Sequence, residues 1–316
     1  MNRSQQLRVA ALGLTLAFAG TSRAPAAALP PAPVPAASFD AGSLHVDRYG
    51  SGPQSLVLIP GLGSGAWAWY GTIAHFSPTY TIYSITLPGF DGRPATSKRP
   101  LFSTFAADFW RMLASERIAS PVVVGHSLGG TLALLLAEQH PERLRAIVAV
   151  DGLPIFPPLA SKTPQERATL AQQAAAQYGS LDSAKALAYE MNFMRTIGTR
   201  EKSLVEPTAV LEARSDPKAV AAWLQEDLTT DLRPSLSKIT IPVLEIMPYD
   251  PDFYASLGLT EAQTLAFYRS MLSGASAAKV EPIAPARHFA MLDQPDAFYA
   301  LLTQFLAETA GAAKVL

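Results

Sequence analysis

Ser127 stands between glycines in Gly125-His126-Ser127-Leu128-Gly129, and a histidine follows much later in Ala286-Arg287-His288-Phe289. A serine hydroxyl is a weak nucleophile until a base takes its proton. Imidazole titrates near neutrality, so it can take that proton and return it to a leaving group. A carboxylate is needed to accept a hydrogen bond from the imidazole and fix its tautomer. The chemistry of such a set is acyl transfer. Three fixed positions at about 7% each arise by chance roughly once in ten chains of this length, so spacing alone is moderate evidence. The context is stronger. Pro121-Val122-Val123-Val124 precedes the serine as an apolar run, and residues 128–140 follow as an apolar helix stopped by Pro141. Glycines at 125 and 129 leave room for a sharp strand–turn–helix. That turn lifts the serine to a helix N-terminus, whose dipole favours a developing oxyanion.

These residues must be carried by a scaffold. Residues 44–49 alternate like a strand, while 56–60, 81–87, 121–124 and 145–150 are apolar runs suited to strands covered on both faces. Residues 101–118 have helical spacing between two of them. This alternation predicts an α/β fold: a mostly parallel sheet flanked by helices. The rhythm breaks from 153 to 234, where 163–178, 183–197 and 219–228 read as helices. Strands resume at 241–247 and 279–284, with a long helical stretch at 256–272 between them, and a helix from 294 to about 308 closes the pattern. The expected division is a core of 39–152 and 235–316, interrupted by a helical cap of 153–234.

Composition narrows the function. The 316 residues carry a formal net charge of -1 and no basic run, which offers nucleic acid no footing. There is no cysteine, which excludes disulfides and a thiol nucleophile. His45, His75, His126, His140 and His288 show no metal-ligand spacing, so neither metal nor cofactor is expected. Gly61, Gly63 and Ala66 fit a dinucleotide fingerprint after a strand. That motif needs an acid about 20 residues on, and 79–87 contain none.

In several segments the chain resembles the α/β-hydrolases, from about Ser43 onward. The segments LVLIPGLGSGAWAW, ITLPGFDGRP, VVVGHSLGG, IPVLEIM and ARHFAMLDQP stand in that family's order. The resemblance implies Ser127 as nucleophile on an elbow built by Gly125, His126 and Gly129, with His288 as general base. It implies an oxyanion hole from the backbone N–H groups of Leu62 and Leu128. Two positions depart from the pattern: Pro60 replaces a usual histidine, and Arg287 a usual glycine. The family places its acid in one of two loops. The commoner one holds Asp250 and Asp252 here, with Pro248 where glycine is usual. The other holds Asp151, at the end of the strand after the elbow helix, as in haloalkane dehalogenase-like members. The reading leans slightly to Asp151, with Asp250 beside it and Asp252 third. A dehalogenase itself needs a carboxylate at the elbow, where Ser127 stands.

Three functions stay open: hydrolysis of a carboxylic ester, of an amide, lactone or C–C bond on the same triad, or ligand binding without turnover. Met191, Phe193, Met194 and Trp223 in the cap, with Trp67 and Trp69, favour a small-molecule, apolar ester-type substrate, although such residues also build cores.

The first residues read as a targeting segment. Arg3 and Arg8 flank an apolar run, residues 9–20, and Ala26 to Ala28 offer a small-residue cleavage site. The run is short of the roughly 20 residues a membrane span needs. An uncleaved interfacial anchor is the competing reading. A signal peptide of 1–28 and a Pro/Ala linker of 29–38 imply export to a periplasm or the medium, without stable membrane association after processing. Mass spectrometry of the secreted protein should find a mature N-terminus near Leu29. Intact Met1 on cytosolic protein would contradict export.

Overall fold

The computed structural model describes residues 28–310. The expected signal peptide lies outside the described residues apart from Ala28. Eight strands form one sheet: β1 (Ala37–Ala41), β2 (Leu44–Tyr49), β3 (Gln54–Ile59), β4 (Tyr80–Thr86), β5 (Val122–His126), β6 (Ala146–Val150), β7 (Val243–Pro248) and β8 (Ala278–Ile283). Their order is β1-β2-β4-β3-β5-β6-β7-β8. β2 pairs antiparallel with both β1 and β4, and the remaining neighbours are parallel. The fold is α/β, as the alternating pattern implies.

The apolar runs are explained by coverage on both faces. Along β3, Val57 and Ile59 enter one buried layer while Leu56 and Leu58 enter the other. β5 repeats the split, with Val123 in the first layer and Val122 and Val124 in the second. Against the first layer pack α2 (Leu101–Ser115) and α3 (Leu128–Gln139); against the second packs α1 (Tyr70–Phe76). Each fully buried Leu, Ile or Phe contributes about 1.5–3 kcal/mol. The edge strand β1 alternates in burial instead, and β8 buries only Val280 and Ile283.

Between β6 and β7 the chain makes only helices: α4 (Pro164–Gly179), α5 (Ser183–Phe193), α6 (Lys202–Glu212) and α7 (Pro217–Thr229), with a π-helical turn at Met194–Gly198. Between β7 and β8 lie α8 (Pro251–Ser256) and α9 (Glu261–Met271), and after β8 come α10 (Ala290–Asp293) and α11 (Pro295–Ala310). α11 covers the second layer through Phe298, Leu302 and Phe305.

Several expectations need correction. The linker of 29–38 runs into β1 at Ala37 and Ser38, which pair with Arg48 and Asp47. The helical stretch expected at 256–272 is helical only from Glu261: α8 ends at Ser256, Gly258 turns at φ 71, and Thr260 and Gln263 close a capping box that starts α9. The stretch of 183–197 is helical throughout, α-helical to Phe193 and π-helical from Met194. α6 was not foreseen, nor was α1. Trp223 is core rather than pocket lining, buried with its indole N–H donating to Pro88 O at 3.2 Å.

Candidate active site

The site forms at the C-terminal ends of β5, β6 and β8. β5 leads directly into Ser127, which has φ 52 and ψ -119, outside the regions an L-residue ordinarily occupies. The turn is enforced by its neighbours: Ser127 N donates to Val150 O at 2.9 Å, and Gly130 N donates back to Ser127 O at 2.8 Å. A Cβ at Gly125 would lie 2.0 Å from Gly129 O, and one at Gly129 would lie 2.3 Å from Ile59 O. Backbone meets backbone at both positions, which is the space the sequence pattern anticipates.

The 60–65 loop after β3 borders this turn. A Cβ on Gly61 would sit 3.4 Å from Ser127 Cβ and 2.8 Å from His126 Nδ1. Among the described residues, the backbone N–H groups of Leu62 and Leu128 donate to no hydrogen-bond acceptor. The loop is gripped from the helical insertion. Ser64 Oγ donates to Glu212 Oε1 at 2.5 Å, and Ser215 Oγ donates to Gly63 O at 2.6 Å. Burial, reinforced by the charge of Glu190, pushes the Glu212 carboxyl well above the usual range.

His288 follows β8 on a loop pinned by the same insertion. His288 N donates to Ile197 O at 3.1 Å, and Phe289 N donates to Gly198 O at 2.9 Å. The Phe193 ring stands edge-on to the imidazole, with centroids 5.9 Å apart. His126 is fully buried, and burial drives its imidazole well below the ordinary histidine value. It is therefore neutral, and its Nε2–H donates to His288 O at 3.0 Å.

The two candidate acids are treated differently. Asp151 Oδ2 lies 2.5 Å from His288 Nδ1, and Asp151 Oδ1 accepts from the Tyr268 hydroxyl of α9. Asp151 has φ 51, a left-handed conformation that aims its side chain off the end of β6. Asp250 is almost fully buried and is held by Arg200 and by Arg287 Nε, the latter at 2.6 Å. Burial pushes the Asp250 carboxyl up, but the Arg287 bond and the Arg200 charge outweigh it and leave it below the usual range. It also caps α8, accepting from Asp252 N at 3.1 Å. Asp252 is exposed, and among the described residues its carboxylate reaches only Arg200, at 3.3 Å. Among the described residues, neither Asp250 nor Asp252 is hydrogen-bonded to His288, whereas Asp151 is. Arg287, at a position where glycine is usual in the family, is the residue that pairs with Asp250.

Sequence reasoning missed Tyr268 and Glu245. Glu245, in the middle of β7, is fully buried and accepts from Gly152 N at 3.2 Å through Oε1. Burial, and then the charge of Asp151, push its carboxyl well above the usual range. An acid in a buried strand was the available signal. A crevice of about 50 Å³, room for a water molecule or two, opens on Asp151 and His288 beside Phe253 and Ile197. Among the described residues no group of three His, Cys, Asp or Glu is arranged to hold a metal.

The model of the alpha/beta hydrolase family matches residues 56–301. A pimeloyl-[acyl-carrier protein] methyl ester esterase of Aeromonas hydrophila is 32% identical over 114 residues, covering 36% of this chain and 43% of that protein. The corresponding protein of Yersinia enterocolitica is 26% identical over 213 residues, covering 65% of this chain and 78% of that one. This chain thus spans less than half the length of the first curated relatives it matches. Among solved structures, the enol-lactonase from Burkholderia xenovorans LB400 superposes with a TM-score of 0.63 at 21% identity, covering 84% of this chain and 96% of that one. A thermophilic esterase from Thermogutta terrifontis reaches 0.68 at 15% identity, covering 87% and 99%. At those identities the likeness is one of fold. With the family model matched over residues 56–301, most of the chain, the chain belongs to the alpha/beta hydrolase family.

Proposed function

We propose that this protein is a serine hydrolase that cleaves a carboxylic ester through an acyl-enzyme intermediate. The observation that carries the reading is the 2.5 Å contact between His288 Nδ1 and Asp151 Oδ2, with Ser127 on a strained strand–helix turn at the end of the adjacent strand β5. Asp151 accepts a hydrogen bond from Nδ1–H, so Nε2 is the free base of the imidazole. His288 Nε2 takes the Ser127 proton as the hydroxyl attacks the carbonyl. The uncommitted N–H groups of Leu62 and Leu128 receive the oxyanion; one such donor supplies about 10²–10³ in kcat. His288 then protonates the departing alcohol, and water releases the acyl group by the same steps in reverse. The Phe193 edge and exposed Ile197 beside the imidazole favour an apolar substituent. The names of the curated relatives, methyl ester esterases, agree with an ester.

Two predictions separate the roles. Ser127→Ala should lower turnover of short p-nitrophenyl esters by at least about 10³-fold and abolish labelling by a fluorophosphonate. Activity or labelling that survives would remove Ser127 from the mechanism. Asp151→Asn should keep the fold and lose roughly 10⁴ in kcat through the wrong imidazole tautomer. Asp250→Asn should instead cost stability, about 1–3 kcal/mol. That is less than a fully buried pair loses, because Arg200 and Arg287 reach solvent. Compared at matched distance below each Tm, a dead Asp250→Asn beside an active Asp151→Asn would exchange the two assignments.

A further inference from the structure

β7 sends Leu244 and Ile246 into one buried layer and Val243 and Met247 into the other. Glu245 lies between the latter two and faces the same way. Its neighbours in register, Ala149 on β6 and Val280 on β8, are apolar. A carboxyl there costs stability that a leucine would not. Its geometry is specific. Oε1 accepts from Gly152 N at 3.2 Å, while Oε2 has no partner among the described residues. Directly before Gly152 stands Asp151, at φ 51, its own N–H donating to Ile246 O at 3.0 Å. The peptide units on both sides of the left-handed residue are therefore tied to β7, one to its backbone and one to the Glu245 side chain. On its other side Gly152 packs closely on Gly130, where a Cβ at 152 would lie 2.6 Å from Gly130 Cα.

We propose that Glu245 is a positioning residue, which holds the Asp151–Gly152 turn in the left-handed conformation from which Asp151 reaches His288. A non-glycine residue in this conformation costs of order 1–3 kcal/mol and persists only where its surroundings hold it. The acceptor at Oε1 supplies that hold. It rests on the acyl-transfer reading, in which Asp151 orients the base. Glu245 does this work uncharged. Burial and the Asp151 charge oppose its ionisation, and the groups facing it are Asp151 from the end of β6 and Tyr268 from α9, neither of them cationic. An ionised Glu245 would set a second negative charge against Asp151.

Two substitutions test the proposal. Glu245→Gln keeps an oxygen acceptor for Gly152 N and should rescue kcat to within a few-fold of wild type. Glu245→Leu removes the acceptor and should lower kcat about 10- to 100-fold, the scale of an ångström of misplacement, with KM changed less than about threefold. Equal kcat in wild type and a folded Glu245→Leu overturns the proposal, as does a Glu245→Gln as impaired as Glu245→Leu. Thermal unfolding adds a readout without substrate. A carboxyl whose folded pKa is raised keeps its proton in the fold after the unfolded chain has lost it. Wild-type stability therefore falls relative to Glu245→Gln as pH rises from about 4.3 toward the folded value. The Gln variant should gain several degrees in Tm over wild type between about pH 4 and 7. A Tm difference independent of pH overturns the uncharged state and the proposal with it, even if Glu245→Leu does not fold. Wild type lacking Ser127-dependent turnover would instead count against the acyl-transfer reading and leave the Tm result standing.

Discussion

The short contact between Asp151 and His288 is the interaction around which the candidate site is organised. The two residues are 137 positions apart, and they meet only because β6, β7 and β8 run parallel and end together. In an open parallel sheet, loops at the carboxyl ends share one rim, so side chains from distant parts of the chain converge there. The helices of both layers bury the sheet from either side, and this burial stabilises the strand ends against the cost of the turns they carry.

That cost is concentrated where the chemistry is. Ser127 and Asp151 follow adjacent strands, and both have positive φ, at 52 and 51. Ser127 N borrows Val150 O, and Asp151 N borrows Ile246 O, so each strained residue hangs from the neighbouring strand. Glu245 adds its carboxyl to the second of these turns. The 60–65 loop is held in turn by Glu212 and Ser215 from the helical insertion. Rigid support of this kind matters because a preorganised donor or base gives its full effect only when it need not move.

Much of this was legible in the sequence, for stated reasons. The buried strands announced themselves as continuous apolar runs, and their ends fell within a residue or two. Gly125 and Gly129 carried a backbone collision that any fold with a serine on that turn must avoid. β1 was lost because its alternation, Ala37 to Ala41, abuts a Pro/Ala run. α6 was lost because Pro207 lies inside it. The acid could not be settled from local pattern, because both aspartates sit at strand ends. What separates them is the choice of partner: Arg200 lies 50 residues from Asp250, Arg287 lies 37 residues away, and Tyr268 lies 117 from Asp151. Contacts at such separations are decided by packing rather than by periodicity.

The central claim is that Asp151, and not Asp250, holds the His288 Nδ1 proton. Proton NMR in water reads this directly, because a proton held between an imidazole nitrogen and a carboxylate is strongly deshielded and protected from exchange. Wild type at low pH should show one such far-downfield signal. It should vanish in Asp151→Asn and in His288→Ala, and persist in Asp250→Asn. A signal that survives Asp151→Asn, or one that disappears in a folded Asp250→Asn, would contradict the account.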